Sequence, residues 1–445
     1  MSKKRLSVLV LVFFPLLATA AETITLTLDD AVRLALDNSI NLKKSAIDLA
    51  KAGYSASHLW SEIFPGFSLG TSFTFLPQTP LVTEPGFQYR DNALSYSVDF
   101  RISLPLNPSL YSSMKNIELA YRMQLLSYEN ASKQLEIQVI KRFLNLITMN
   151  ANISNMQGSL DLALQKMNND RIARANGLLS ELDWLNSQLS AETARYNLLN
   201  VQNSYKNSLG EFLALLGIDD GTNVILNGTV EIAKLNLDPE KLILEHLPKR
   251  PDIVAQRQTI ERLELAKNIT TNNLRSPSLT LSTQWRGGAT GFSAPFTDSI
   301  SGSLSLSIPI DSWIPGTKQN QNVRAADNEI EKAKLELQNT ETQAKTQIRS
   351  LVSNLNSRWE SLEIARLRVS IAQRTVDAAN IGFRNGTVEF KGLEDRRSDL
   401  SNASQRLLEE ELTYQSLLLD LAAALNVEWR SLTGQPASGV SRSQQ

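Results

Sequence analysis

This sequence of 445 residues contains no cysteine and only two histidines, His58 and His246. Without cysteine there is no disulfide framework, no thiol nucleophile, no Cys-based zinc site or iron–sulfur cluster, and no thiol to carry a lipid anchor. Two isolated histidines are too few for most transition-metal sites or for a Ser-His-Asp arrangement. Both read as solvent-facing or helix-packing residues, and no metal or cofactor is expected. Net charge is also missing: 45 basic side chains face 46 acidic ones, a balance of −1, which leaves no basic footprint for nucleic acid. Beyond Ala20 no run approaches about 18 apolar residues, which excludes helices that cross a bilayer. Any membrane crossing must therefore use strands.

The start of the sequence reads as a secretory signal. Lys3, Lys4 and Arg5 precede the apolar run Leu6 to Leu17, and Ala18-Thr19-Ala20 offers a small-x-small cleavage pattern. The mature chain is expected to begin near Ala21 and to be exported.

Proline is absent between Pro108 and Pro239 and again between Pro315 and Pro436. Because proline breaks helix interiors, these two deserts predict long helices. Periodicity agrees. In the second desert Val323, Ala326, Ile330, Ala333 and Leu337 form a stripe that resumes at Ala344, Ile348, Leu351 and Leu355. It continues through Leu362, Ala365, Val369, Ala372, Val376 and Ala379, with spacings of three and four, as in a coiled-coil seam. The first desert carries Leu135, Val139, Phe143, Leu146, Ile153 and Met156 in the same way. These stripes are packing surfaces.

Where proline is dense the period changes to two. Leu94, Tyr96, Val98, Phe100, Ile102 and Leu104 alternate with Ser95, Ser97, Asp99, Arg101 and Ser103. The same alternation predicts four strands, at about 67–76, 93–104, 278–286 and 300–310. Their length, the serine-lined face and the aromatics Phe64, Phe67, Phe73, Phe75, Tyr96 and Phe100 suit a transmembrane β-barrel better than a soluble sandwich. Asp99 and Arg101 would then line the barrel lumen. The connections Pro77–Asn92 and Arg286–Ser299, rich in Gly, Pro and polar residues, read as external loops.

The pattern occurs twice, at a period of about 210 residues. Each half is a helix, a β-hairpin, a long helix, a turn and a helix, with Asn176-Gly177-Leu178 matching Asn385-Gly386-Thr387 at the turns. The division expected is a signal at 1–20, a first repeat at 21–216, a linker at 217–247, a second repeat at 248–429 and a tail at 430–445. Residues 109–175 and 318–384 would each give about 100 Å of helix, and the shorter helices 29–63 with 181–215, and 250–275 with 388–426, would stack to near the same height. Four strands cannot close around water, so several copies must share one barrel. Three copies would set 12 strands over 12 helical columns, although the residues do not by themselves fix that number.

On the duplicated plan, the opening Thr27-Leu28-Asp29-Asp30-Ala31-Val32-Arg33-Leu34-Ala35-Leu36-Asp37-Asn38, the segment Arg250-Pro251-Asp252-Ile253 and the two Asn-Gly turns, the sequence resembles the TolC family of trimeric outer-membrane efflux and secretion channels. The resemblance covers nearly the whole chain after the signal. It implies a homotrimer, with a 12-stranded barrel in outer-membrane lipid continuous with a long periplasmic α-helical barrel. Residues 217–247 and the tail would form a mixed belt around that helical barrel. It also implies a periplasmic adaptor and an inner-membrane pump or ABC exporter as partners. Function would be a passive exit duct; a stand-alone porin or a surface adhesin on the same scaffold is the alternative. A hydrolase is remote, because no nucleophile–base–orienter set can be assembled.

In the family the tip turns meet the adaptor, which makes Gly177, Leu178, Gly386 and Thr387 the docking candidates. Acidic residues follow each turn, Glu181 and Asp183 in one half, Glu394 and Asp395 in the other. Threefold symmetry would turn inward-facing ones into rings of negative charge at a periplasmic gate; otherwise they are solvated helix-face carboxylates. The family closes this end with aspartates and polar links. Asp183 and Asp395 match two of its aspartates, a third is replaced by Gly392, its tyrosine before the second turn is Phe383, and its arginine after it is Val388.

Overall fold

The computed structural model describes residues 24–76, 79–83, 86–90, 93–219, 221–228, 232–290 and 295–433. The export signal read at 1–20 and most of the tail lie outside the described residues. The elements run β1 (Ile24–Thr27), α1 (Leu28–Asn38), α2 (Ile40–Ser57), β2 (Gly66–Leu76), β3 (Thr79–Thr83), β4 (Gly86–Arg90), β5 (Ala93–Leu106), α3 (Ser109–Ala175) and α4 (Glu181–Leu216). The second half adds β6 (Val224–Asn227), α5 (Pro239–His246), α6 (Pro251–Arg275), β7 (Ser278–Thr290), β8 (Thr297–Ser307), α7 (Lys318–Arg384), α8 (Phe390–Leu425) and α9 (Trp429–Thr433). None of the described helices is long and apolar enough to cross a membrane.

The two deserts are α3 and α7, each 67 residues, or about 100 Å at 1.5 Å per residue. Their returning partners α4 and α8 have 36 residues each, about 54 Å. The seam of α7 is buried at Val323, Ile330, Ala333, Ala344, Ile348, Leu355, Leu362, Ala365, Ala372, Val376 and Ala379. Between Ile348 and Leu362 it widens to include Val352 and Trp359, because a second layer packs there.

Strands and helices share one lateral order. The sheet is β2-β5-β7-β8, antiparallel throughout. Above the middle of the molecule α3 lies between α2 and α6, and α6 lies between α3 and α7; below it α3 lies between α4 and α8, and α8 packs on α7. Since α2 leads to β2, β5 into α3, α6 to β7 and β8 into α7, each strand stands over its own helical column. The register keeps one face apolar across all four strands: Phe67, Ile102 and Thr283 share a row, then Leu69, Phe100, Trp285 and Ile300, and lower down Leu104, Leu281 and Leu304.

Four details differ from the sequence reading. Residues 29–63 are not one helix: Ser39 leaves helical geometry and its Oγ accepts the Leu42 amide at 3.3 Å, which caps α2. A short 3₁₀ turn, Leu59–Ile63, then ends the segment. The strand expected at 300–310 is β8, which stops at Ser307, because Pro309 has no N–H to donate to a ladder. Pro105 is accommodated inside β5 because β2 has ended by Ser103, so one edge of β5 is open there. Finally, the segment read as a loop at 77–92 contains the hairpin β3–β4.

The belt lies at mid-height. Parallel strands β1 and β6, with α1, cover Val139, Phe143 and Leu146 of α3 and Phe212, Leu213 and Leu216 of α4. On the other half Ile243 of α5 covers Ile348, Val352 and Leu355, while Tyr414 of α8 donates to the Ala233 carbonyl at 2.9 Å. Trp429 of α9 packs on Ile140 and Leu144, and Arg430 holds Asp29 of α1 at 2.6 Å.

Arg250 anchors the start of α6. Its guanidinium grips Asp252 at 3.0 and 2.7 Å, reaches Gln347 of α7 at 3.1 Å, and is almost wholly buried. Burial opposes ionisation of Asp252, but the hydrogen bonds and charge of Arg250 outweigh it and hold the carboxyl below its ordinary value. A depressed carboxyl contributes stability above its unfolded value, lost as the pH falls through the folded one. Arg250→Ala leaves Asp252, 43% exposed, to water and the Ile253 amide, and is expected to cost about 1–2 kcal/mol, with thermal unfolding in detergent as the measurement. In the variant, the acid-side loss of stability that Asp252 causes should also disappear.

Candidate functional site

The end of the helices far from the strands carries the candidate docking and gate residues. Both turns are the same Schellman motif. In the first, Gly177 N donates to Arg174 O at 2.9 Å and Leu178 N to Ala173 O at 2.8 Å. In the second, Gly386 N donates to Phe383 O at 3.1 Å and Thr387 N to Gly382 O at 2.8 Å. The two glycines have φ of +72° and +74°, and a Cβ on either would meet nothing within 4 Å. Glycine is needed here for its backbone freedom and not for space. Leu178 is 80% exposed, an apolar side chain held out in water by a rigid turn. Thr387 is exposed too, though its hydroxyl donates to the Gly382 carbonyl at 3.1 Å.

The four acidic residues do not converge on one point; each has its own surroundings. Ser180 caps α4 at Asp183: its Oγ accepts the Asp183 amide at 3.1 Å and donates to the Asp183 carboxylate at 2.6 Å. Glu181 pairs with Arg174, whose guanidinium lies 4.3 Å from the centre of the Trp184 ring. Asp395 is exposed on α8. Glu394 reaches across to Lys166 of α3 at 2.9 Å, and both side chains are mostly buried, at 19% and 25% exposure.

Lys166 was not legible as a site residue. Burial opposes its charge, but the hydrogen bond and charge of Glu394, with Asp170 and Asp395 nearby, outweigh it and raise its pKa. Its folded value is thus above the unfolded one, so the pair supports the structure at neutral pH and lapses only as the pH rises past the ordinary lysine value of about 10.4. Ser159 and Ser401, 3.0 Å apart, join the same two helices further up.

The turn of the second hairpin carries an apolar set. Val388 packs on Gly382 and Gly392, and a Cβ at Gly382 would strike it. Phe383 and Phe390 meet edge to face at 5.8 Å. Val388 is thus a branched knob seated between two residues without side chains, beside the Phe383–Phe390 pair.

At the strand end, Asp99 sits in register with Gly70 and Arg286, and Arg101 with Ser68 and Gln284, all on the polar face. The strand expected at about 278–286 runs on through Arg286 to Thr290, so the following connection is shorter than the expected Arg286–Ser299. Aromatic side chains line the junction below: Tyr54 stacks on His58 at 4.1 Å, and Trp60, Phe64, Phe67 and Phe100 follow in sequence. His246 lies beside Glu245, 3.9 Å away. Among the described residues no three His, Asp or Glu side chains are grouped to hold a metal.

A four-stranded sheet with one apolar and one polar face, each strand set over a helical column, defines a class of outer-membrane protein with a helical extension into the periplasm. The comparisons agree. Residues 31–218 and 242–427 match the family described as outer membrane efflux protein, and the chain belongs to that family. It is 23% identical over 411 residues to outer membrane protein TolC of Escherichia coli (strain K12), which covers 86% of this chain and 79% of that one. A membrane protein from Pseudomonas aeruginosa superposes with a TM-score of 0.74 at 18% identity, covering 91% of this chain and 92% of that one. The outer membrane protein VceC of Vibrio cholerae gives 0.70 at 17% identity, covering 90% and 96%.

Proposed function

We propose that three copies of this chain form a passive exit duct in the outer membrane, fed through a periplasmic adaptor by an inner-membrane pump or ABC exporter. The observation that carries this reading is the matched pair of open edges. The sheet ends at β2 and β8, and the helical layer ends at α2 with α4 on one side and at α7 on the other. An antiparallel sheet whose apolar face meets lipid cannot leave its edge amides unpaired. Pairing β8 of one copy with β2 of the next brings α7 of the first against α2 and α4 of the second, so one contact closes both layers. Three copies would give 12 strands, enough to enclose water. The duct needs no bond chemistry.

The tip supplies the moving parts of this reading. The Lys166–Glu394 pair ties the two helical hairpins of a copy together, the Val388 knob packs inside the second hairpin, and Asp183 and Asp395 face solvent. Leu178, with Gly177, Gly386 and Thr387 shaping the turns, is the adaptor contact. An exposed leucine on a rigid turn favours coupling to a partner over the stand-alone porin or adhesin. Purified full-length protein should have the mass of a trimer in detergent, conduct in planar bilayers, and restore export in a strain lacking its own duct when adaptor and pump are supplied. A monomer without conductance would remove the reading; conductance without restored export would return it to a passive porin.

A further inference from the structure

The four strands carry few charges on their polar face. Apart from Leu76, Ala93 and Pro105 at its ends, that face is serine, threonine, glycine and glutamine except at Asp99, Arg101 and Arg286, which occupy two successive rows. Their leanings are opposed. A Cβ at Gly70 would lie 2.8 Å from Asp99 Oδ1, so the carboxylate rests over β2 in the space the glycine leaves, away from Arg286 on β7. Arg101 leans the other way and donates to Gln284 Oε1 at 3.1 Å, which leaves Gln284 Nε2 buried without a partner. Arg101 and Arg286 lie on adjacent strands one row apart, a diagonal separation of about 7–8 Å. Two arginines and one carboxamide N–H thus occupy adjoining positions on the polar face of β5 and β7, while the single carboxylate is turned off to the side.

We propose that Arg101, Gln284 and Arg286 form an oxyanion-binding girdle in the strand duct, acting on solutes that carry several phosphate or carboxylate groups. The proposal rests on the duct reading above. Guanidinium donors match oxyanion geometry in a fork, and low-dielectric walls strengthen their field. Each copy contributes two positive charges and one negative at this level, so the ring is cationic however many copies close it. The remaining serine surface offers nothing to compete.

The test uses reconstituted full-length protein in planar bilayers, with inorganic tripolyphosphate added on the strand side. Tripolyphosphate should block the current, and the double substitution Arg101→Ser with Arg286→Ser should weaken the block at least tenfold. Asp99→Ser, which leaves both arginines, should strengthen it several-fold and guards against a double variant that fails to assemble. Equal block in wild type and double variant, no block in either, or no gain in Asp99→Ser overturns the girdle while conductance preserves the duct. Absence of any conductance overturns the duct and the girdle with it.

Discussion

Leu178→Asp is expected to reduce export at least tenfold in a strain that supplies adaptor and pump, with trimer mass, unfolding temperature and bilayer conductance unchanged. Leu178 contributes almost nothing to its own fold, being 80% exposed beyond a turn already fixed by Gly177 and two backbone hydrogen bonds. Covering that side chain on docking is worth about 1.5–3 kcal/mol, which one carboxylate in its place would forfeit and more. Every copy in the ring presents one, so the loss is multiplied in a multivalent assembly. Thr387 is less clean, because its hydroxyl also holds the Gly382 carbonyl. Thr387→Val retains the shape and should leave export nearly intact, whereas Gly177→Val would distort the turn itself. Export that survives Leu178→Asp would move the adaptor contact away from this turn.

Residues that act over short distances were legible in the sequence. The extents of α3 and α7 follow from the absence of proline and from Asn-Gly at their ends, and the strands follow from strict alternation. Where local signals conflict, the reading failed. Pro80 and Gly86 hide the hairpin β3–β4, and Gly287-Gly288 hides the extension of β7 from Arg286 to Thr290. Ser39 was a capping residue inside an otherwise helical pattern, and nothing near it in sequence showed that Asn38 would bond the Leu216 carbonyl, 178 residues away. Ser180 caps α4 at the Asp183 amide and bonds its carboxylate, a local role compatible with a place for Asp183 at the gate. The Lys166–Glu394 pair could not be found at all: its members are 228 residues apart, and each resembles any other charge on a helix face. Duplication explains why so much else was legible, because every weak local signal was seen twice.

That pair supports the second large effect. Lys166→Glu should raise the conductance of closed channels about tenfold, Glu394→Lys should raise it too, and combining the two should bring it back toward the wild-type level. At 25% and 19% exposure the ion pair lies between a surface bridge and a buried one, so about 1–2 kcal/mol per copy is at stake, and like charges in its place add repulsion. Each 1.4 kcal/mol is a tenfold shift in a two-state balance, and the copies of a ring open together. Asp170 and Asp395 remain beside the site, so they offset part of the repulsion in Glu394→Lys, whose effect should be the smaller of the two, while the double variant should restore closure substantially. Raising the pH of the wild-type channel past the ordinary lysine range should mimic Lys166→Glu in direction, because the support lapses as Lys166 loses its proton. If the double variant conducts like the single ones, the two residues act independently and closure does not depend on their ion pair.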